Sequence, residues 1–444
     1  MKAVKESGLD WLDNIPSGWK IERMKNQFLY TKGLNITKAD LTEAGLAVVS
    51  YGQIHSKENS GTTLKDDLLR FISSENIAVT DKSKLSSGDI VFADTSEDYA
   101  GLGNAVYMDR DRDTDTYAGY HTIIARPNEP AYAKYFAYLF KSEAWRSQLC
   151  MRASGIKVFS VTQRMLNDVT LIMPPSVELP PIISYLDDRC AKIDTIIAEA
   201  KTSIEEYKEL KQAVIYDAVT KGLDKNSDMK DSGIPAIGKV NEKFKIAKIG
   251  ELQEGLTDGT HGTYQRLDSG ELLLSSKNVQ NEGLVVGNNE SFISTEDYKA
   301  IVANGFPQKN DILLCCIGAS IGRCILYPYN YPIAFQRSVI FIRTNHWMLP
   351  KFMLYSLQSP SSIMQENVIV NQSAQAGFYQ GLVKQLYVTV PSINEQNKIV
   401  SYLDKKIKNI DDVISTKESL IEDLEYYRKS LIYEVVTGKR KVVD

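Results

Sequence analysis

The side chains of this 444-residue chain best suited to metal binding or nucleophilic chemistry are four histidines, His55, His121, His261 and His346, and five cysteines. Their spacing supports neither use. The histidines are far apart and none falls in H-E-x-x-H or another ligand spacing, and the odd number of cysteines includes no C-x-x-C pair. Cys315 and Cys316 are adjacent, which on a strand puts them on opposite faces as buried thiols. No G-x-x-x-x-G-K-[ST] phosphate loop and no G-x-S-x-G nucleophile turn is present. Gly101-Leu102-Gly103 and the GASIG of 318–322 are short glycine turns without the strand-GxGxxG-helix context. The pairs Pro174-Pro175 and Pro180-Pro181 lack the polar residue before and the aromatic after that an amino-methyltransferase loop uses. These residues describe a non-catalytic protein.

Side chains that recognise rather than react are more plentiful. In the first half they are Tyr51, Gln53, His55, Asn104, His121, Arg152, Lys157 and Arg164. In the second half they are Thr260, His261, Tyr264, Lys277, Asn278, Ser320, Arg323, Gln336, Arg337 and Gln375. Most fall in turn-rich segments, and their aromatic, amide, hydroxyl and basic groups suit base edges and phosphates. The net charge of -4 lends no support by itself to a polyanionic partner. The acidic run DRDRDTD at 109–115 can mask basic surface elsewhere, so the overall balance decides little.

The elements that must position these residues come in duplicate. Ser184, Tyr185, Leu186 and Asp187 return 217 residues later as Ser401, Tyr402, Leu403 and Asp404, and Ile215, Tyr216, Val219 and Thr220 return as Ile432, Tyr433, Val436 and Thr437. With an offset of 225, GLAVVSYGQI (45–54) meets GELLLSSKNV (270–279). At 217 again, Lys134, Tyr135 and Tyr138 meet Lys351, Phe352 and Tyr355. The chain is a tandem of two modules, about 7–222 and 232–438, joined by a polar linker. The change of offset puts five extra residues of the first module between Ile90 and the Ile-x-Arg of 124–126, in a polar loop region suited to variable recognition.

Each module ends in a long apolar seam. Leu186, Ile193, Ile197, Ile204 and Tyr207 in the first copy, and Leu403, Ile410, Ile414, Ile421 and Leu424 in the second, keep steps of three and four with no proline inside. At the helical rise each run is roughly 60 Å long, and the economical partner for each helix is the other. Pro180 and Pro181 start the first helix, Ser392 and Glu395 form a capping box at the second, and Gly222 and Gly438 stop them. Lys211 and Arg428 interrupt the seam at equivalent places. Antiparallel pairing about the midpoint of 180–218 brings Lys211 near Asp404 and Arg428 near Asp187.

The fold class is α+β: two globular α/β parts separated by two long antiparallel coiled-coil helices, a pseudo-two-fold tandem repeat. The boundaries are 1–175 and 243–391 for the globular parts, 176–222 and 392–444 for the helices, and 223–242 for the linker. β-rich runs such as DIVFAD and DILLCCI precede helical patterns at 132–151 and 350–368. No stretch reaches the roughly 18 apolar residues of a membrane span, and the chain reads as cytoplasmic. Antiparallel struts give the tandem the symmetry of a DNA duplex.

The chain resembles the specificity subunits of type I restriction-modification enzymes. SGLDWLDNIPSGW at 7–19, DGTHGT at 258–263, PSINEQNKIVSYLD at 391–404 and the endings VIYDAVTKG and LIYEVVTGK carry the likeness, which covers nearly the whole chain. The resemblance implies that each globular part is a target-recognition domain reading one half of a bipartite, asymmetric double-stranded DNA site. It implies that the helices set the spacer and help dock two methyltransferase subunits, joined in the full complex by two restriction subunits. S-adenosylmethionine, ATP and Mg belong on those partners and no cofactor on this chain. A non-DNA scaffold with duplicated protein-binding modules is the alternative reading.

Overall fold

The computed structural model describes residues 3–73, 77, 79–153, 158–288, 290–372 and 377–442. Two helices dominate it, Leu179–Lys221 and Ile393–Val436. Pro180 and Pro181 sit in the first turn of one, where their missing N–H groups cost nothing. At the other, Ser392 Oγ accepts from the Glu395 backbone N–H at 3.3 Å. The expected return bond from the Ser392 N–H to the Glu395 carboxylate is absent among the described residues, so only half of the capping box forms. Gly222 and Gly438, with φ of +77° and +72°, stop the helices in the left-handed region that other residues resist. No helix of the described residues is long and apolar enough to cross a membrane.

The chain forms two compact units, Met1–Ala200 with Ser419–Asp444 and Lys201–Glu418, so each unit takes part of both long helices. In the first unit a four-stranded antiparallel sheet has the order Ala105–Tyr107, Ile90–Ala93, Thr122–Pro127, Phe28–Lys32. The second unit repeats it as Cys324–Leu326, Ile312–Cys315, Val339–Thr344, Gln253–Asp258. Ile90–Ala93 and Ile312–Cys315 are apolar throughout because both faces are buried. Ile90 and Phe92 face one core while Val91 and Ala93 face another, and Ile312 and Leu314 are likewise separated from Leu313 and Cys315. Cys315 and Cys316 lie in different clusters, as adjacent residues on a strand require. A second, smaller sheet carries a parallel pairing in each unit: Val48 and Val49 with Tyr117 and Ala118, and Leu273 and Leu274 with Ala334 and Phe335.

The helical patterns at 132–151 and 350–368 are each two helices rather than one. Ala133–Lys141 is followed by Glu143–Cys150, and Pro350–Gln358 by Pro360–Gln372. Ser142 and Ser359, 217 apart, take extended backbone at the two breaks. In the second copy Pro360 marks the break, since a residue before proline avoids the α region, whereas in the first copy the apolar period runs on across Ser142 with no local breaker.

Each globular part rests on a long helix through a duplicated clamp. Tyr138 donates to Asp187 Oδ1 and Lys134 Nζ lies 3.4 Å from the same oxygen. Tyr355 and Lys351 bind Asp404 in the same way. These are the identities the 217-residue repeat preserves. Asp187 and Asp404 are therefore occupied, and the ion pairs expected between them and Arg428 and Lys211 do not form. Arg428 instead pairs with Asp194 in the first unit, and Lys211 with Asp411 at 2.7 Å in the second. The two helix segments in each unit are antiparallel, and each ion pair is the image of the other under the repeat. The register differs from the expected one by seven residues, a whole heptad, and a heptad shift leaves the same seam positions facing each other. Of the ten seam residues, Leu186, Ile193, Ile197, Ile204, Leu403 and Ile410 are buried, and Tyr207, Ile414, Ile421 and Leu424 half-buried.

Candidate nucleic-acid interface

In each unit three connections lie together: the turn after the parallel strand, the hairpin from Ile90–Ala93 to Ala105–Tyr107 or from Ile312–Cys315 to Cys324–Leu326, and the loop leading into Thr122–Pro127 or Val339–Thr344. The first turn is built identically in both. In the return half of a capping box, Gln53 Oε1 accepts the Ser50 backbone N–H at 3.1 Å over the turn Tyr51–Ile54, and Asn278 Oδ1 accepts that of Ser275 at 3.0 Å over Ser276–Asn278. The hairpin connection is 94–104 in the first unit and 316–323 in the second, so three of the five extra residues inferred from the sequence lie here.

The longer hairpin helps enclose an open cavity of about 660 Å³ in the first unit, lined among others by Tyr51, His55, Asp98, Asn104 and His121. His55 Nε2 bonds the Thr95 carbonyl at 2.7 Å and its Nδ1 meets Asn104 Nδ2 at 3.1 Å. His121 is exposed, holds a left-handed backbone with φ of 55°, and contacts Asp94 at 3.1 Å. Tyr51 packs edge-on against Tyr120 and His121, each at 5.5 Å between ring centres. Gly119 is required beneath this cluster, since a Cβ there would come within 2.1 Å of Ser50 Oγ. The rim is acidic at Glu97 and Asp98, and carboxylates accept from exocyclic amines but repel phosphates.

The second unit brings Thr260, Lys277, Arg323, Gln336 and Arg337 to the corresponding connections. Thr260 bridges to Gln336 along the backbone, and its hydroxyl bonds Tyr264 at 2.7 Å. His261 Nε2 and Gln380 Nε2 hold the two oxygens of Asp258 at 2.8 and 2.6 Å. Arg323 Nη1 donates to the Val279 carbonyl and to Gln280 Oε1 at 3.1 and 2.8 Å. Lys277 pairs with Glu290 at 2.7 Å, and the exposed Arg337 side chain has no partner among the described residues. Buried thiols flank the strand, with the Cys315 and Cys316 thiols pushed up to about 12 and about 11 by burial, so they stay protonated and unreactive.

The structure leaves these residues unequally accessible. Asn278 is buried, its amide donating to Val285 O and Glu290 Oε1 at 3.0 and 2.7 Å, so it holds the turn shut. Gln53 performs the same capping but stays half-exposed. Ser320 accepts the backbone N–H of Arg323 through its carbonyl at 3.0 Å. Arg152, at the end of Glu143–Cys150, and Arg164, in Gln163–Asp168, are exposed and do not line the cavity. Lys157 and Gln375 lie outside the described residues. Gln280, Asp98, Asp258 and Gln380, which residue type and spacing do not single out, also take part in these contacts. The 225-residue offset that aligns His55 with Gln280 was the available signal for the first of these.

Among the described residues the arrangement offers imidazole, amide, guanidinium and carboxylate edges, groups suited to recognition. A family model described as Type I restriction modification DNA specificity domain matches residues 239–423. The MjaVIII specificity subunit of Methanocaldococcus jannaschii, a type I restriction enzyme component, is 25% identical across 69% of this chain and 70% of its own length. The EcoKI specificity subunit of Escherichia coli is 21% identical across 87% of this chain and 86% of its own length. A chain solved in work on complex assembly and conformational transition of the type I R-M system superposes with a TM-score of 0.69 at 16% identity, over 96% of this chain and 99% of that one. Residues 239–423 thus match that family's DNA specificity domain, and over most of its length the chain is similar to type I restriction enzyme specificity subunits.

Proposed function

We propose that this chain gives a type I restriction-modification complex its DNA sequence selectivity, each globular part reading one half of a bipartite site. The observation that carries this is the duplication of one scaffold with different side chains at equivalent positions. His55 and Asn104 in one unit stand where Gln280 and Arg323 stand in the other. A site with two unlike halves calls for the same geometry twice and different edge chemistry each time. The antiparallel helices would fix the unread spacer. They and the segments flanking them would dock two methyltransferase subunits that bind S-adenosylmethionine and methylate adenine, with two ATP-driven restriction subunits in the larger assembly.

The chain itself then supplies no catalytic group. Isothermal titration of the purified chain with S-adenosylmethionine is expected to show no stoichiometric binding. The deciding experiment is sequencing of the DNA methylated by the complex before and after residues 243–391 are exchanged for those of a relative. One half of the methylated motif is expected to change and the other to persist. Simultaneous change of both halves would mean that the two parts do not read independently.

A further inference from the structure

We infer that Asn104 and Arg323 are equivalent specificity-determining residues, Asn104 selecting adenine in one half-site and Arg323 selecting guanine in the other. The inference rests on the DNA-reading role proposed above and adds which side chain meets which base.

The equivalence is set by backbone pairing. Ala105 pairs with Phe92 and Cys324 with Leu314, so Asn104 and Arg323 are each the residue immediately before the outer strand of the four-stranded sheet. Their backbones are held alike. The Asn104 carbonyl accepts from Ala93 N at 3.1 Å and the Arg323 carbonyl from Cys315 N at 2.8 Å, while each N–H donates at 3.0 Å, to Gly101 O and Ser320 O. Each side chain is then buttressed by the residue two places beyond a capping-box glutamine or asparagine, His55 after Gln53 and Gln280 after Asn278.

The buttress decides which edge is left over. The Thr95 carbonyl can only accept, so His55 Nε2 carries a proton and Nδ1 accepts from Asn104 Nδ2. One amide N–H of Asn104 is used, and Oδ1 with the second N–H has no partner among the described residues. That donor and acceptor side by side match N7 and N6 of adenine. Arg323 uses Nη1 on Val279 O and Gln280 Oε1. Its Nε and Nη2 have no partner among the described residues, and two parallel donors match O6 and N7 of guanine. Both residues are half-buried, so each side chain is held by packing while its free edge remains open.

The test is selection of duplexes from a randomised library by the complete complex carrying wild-type chain, Asn104→Ala or Arg323→Gln. For Arg323→Gln, the expected result is a change at one position of one half-site from guanine to adenine, because a carboxamide presents the adenine-matching edge. For Asn104→Ala, the expected result is loss of adenine preference at one position of the other half-site. Discrimination at each affected position should fall on the order of tenfold or more. The undisturbed half-site in each variant reports that the chain is folded. Wild-type preferences retained by both variants, or changes at several positions in both halves, would overturn the assignment while leaving DNA reading in place. A wild-type complex with no sequence preference would remove the proposed function and this inference together.

Discussion

Glu366 stands where Leu149 stands in the other copy, 217 residues away, and both are buried. A carboxyl in an apolar site resists ionisation. Burial pushes Glu366 up to about 7 from an ordinary 4.5, and its Oε1 has no hydrogen-bond partner among the described residues. Below pH 4.5 the group is protonated whether the chain is folded or not and costs little. Between 4.5 and 7 the folded chain keeps a proton that the unfolded chain releases, so stability falls as pH rises through that window. Glu366→Gln is expected to stabilise the chain by about 3 kcal/mol at pH 8 and hardly at all at pH 4, the free energy that corresponds to the rise from 4.5 to about 7. Urea unfolding at the two pH values measures this, and an equal effect at both would refute the burial argument. The same scale shows what packing adds. Asn278 in a polar turn looks exposed in sequence, and only packing shows its amide closed on Val285 and Glu290.

The elements carry a register that can be tested in each unit by itself. Lys211 and Asp411 form a partly exposed pair, with side chains 29% and 49% accessible, so its worth is modest, about 0.5–1 kcal/mol. Its value is diagnostic. Lys211→Glu places like charges together and is expected to lower stability by about 1 kcal/mol. Adding Asp411→Lys should restore most of the loss, whereas adding Asp404→Lys should not, because Asp404 serves Tyr355 and Lys351. Rescue by the second combination in denaturant titrations would return the register to the one the seam midpoint suggested. A heptad pattern is unchanged by sliding seven residues, so the sequence narrows the register to steps of seven and goes no further.

At the scale of the molecule, the proposed spacer role makes helix length the controlling variable. Inserting seven residues after Ala200 and seven more after Lys417, its counterpart 217 residues on, keeps the seam in phase in both helices. The added helix is about 10 Å, and duplex DNA rises about 3.4 Å per base pair. The methylated motif is expected to keep both halves and gain about three unread base pairs. Methylation sequencing of the modified DNA reads this directly, and an unchanged spacer would show that the helices do not set it.

The sequence by itself determined the tandem, both helices, their stops at Gly222 and Gly438, and the strands around DIVFAD and DILLCC. These depend on local period and on identities repeated at fixed offsets, which a linear reading carries in full. The tertiary structure decided which aspartate meets which cation, which turn amides are closed and which are open, and where the helical runs break at Ser142 and Ser359. Except at Ser359, where Pro360 follows and disfavours helix, each of those outcomes is a choice among residues of equal local suitability. Asp187 and Asp404 could have served the seam, but the Tyr138–Lys134 and Tyr355–Lys351 pairs reach them from the globular parts. Competition between partners distant in sequence is settled only when packing brings them to the same place.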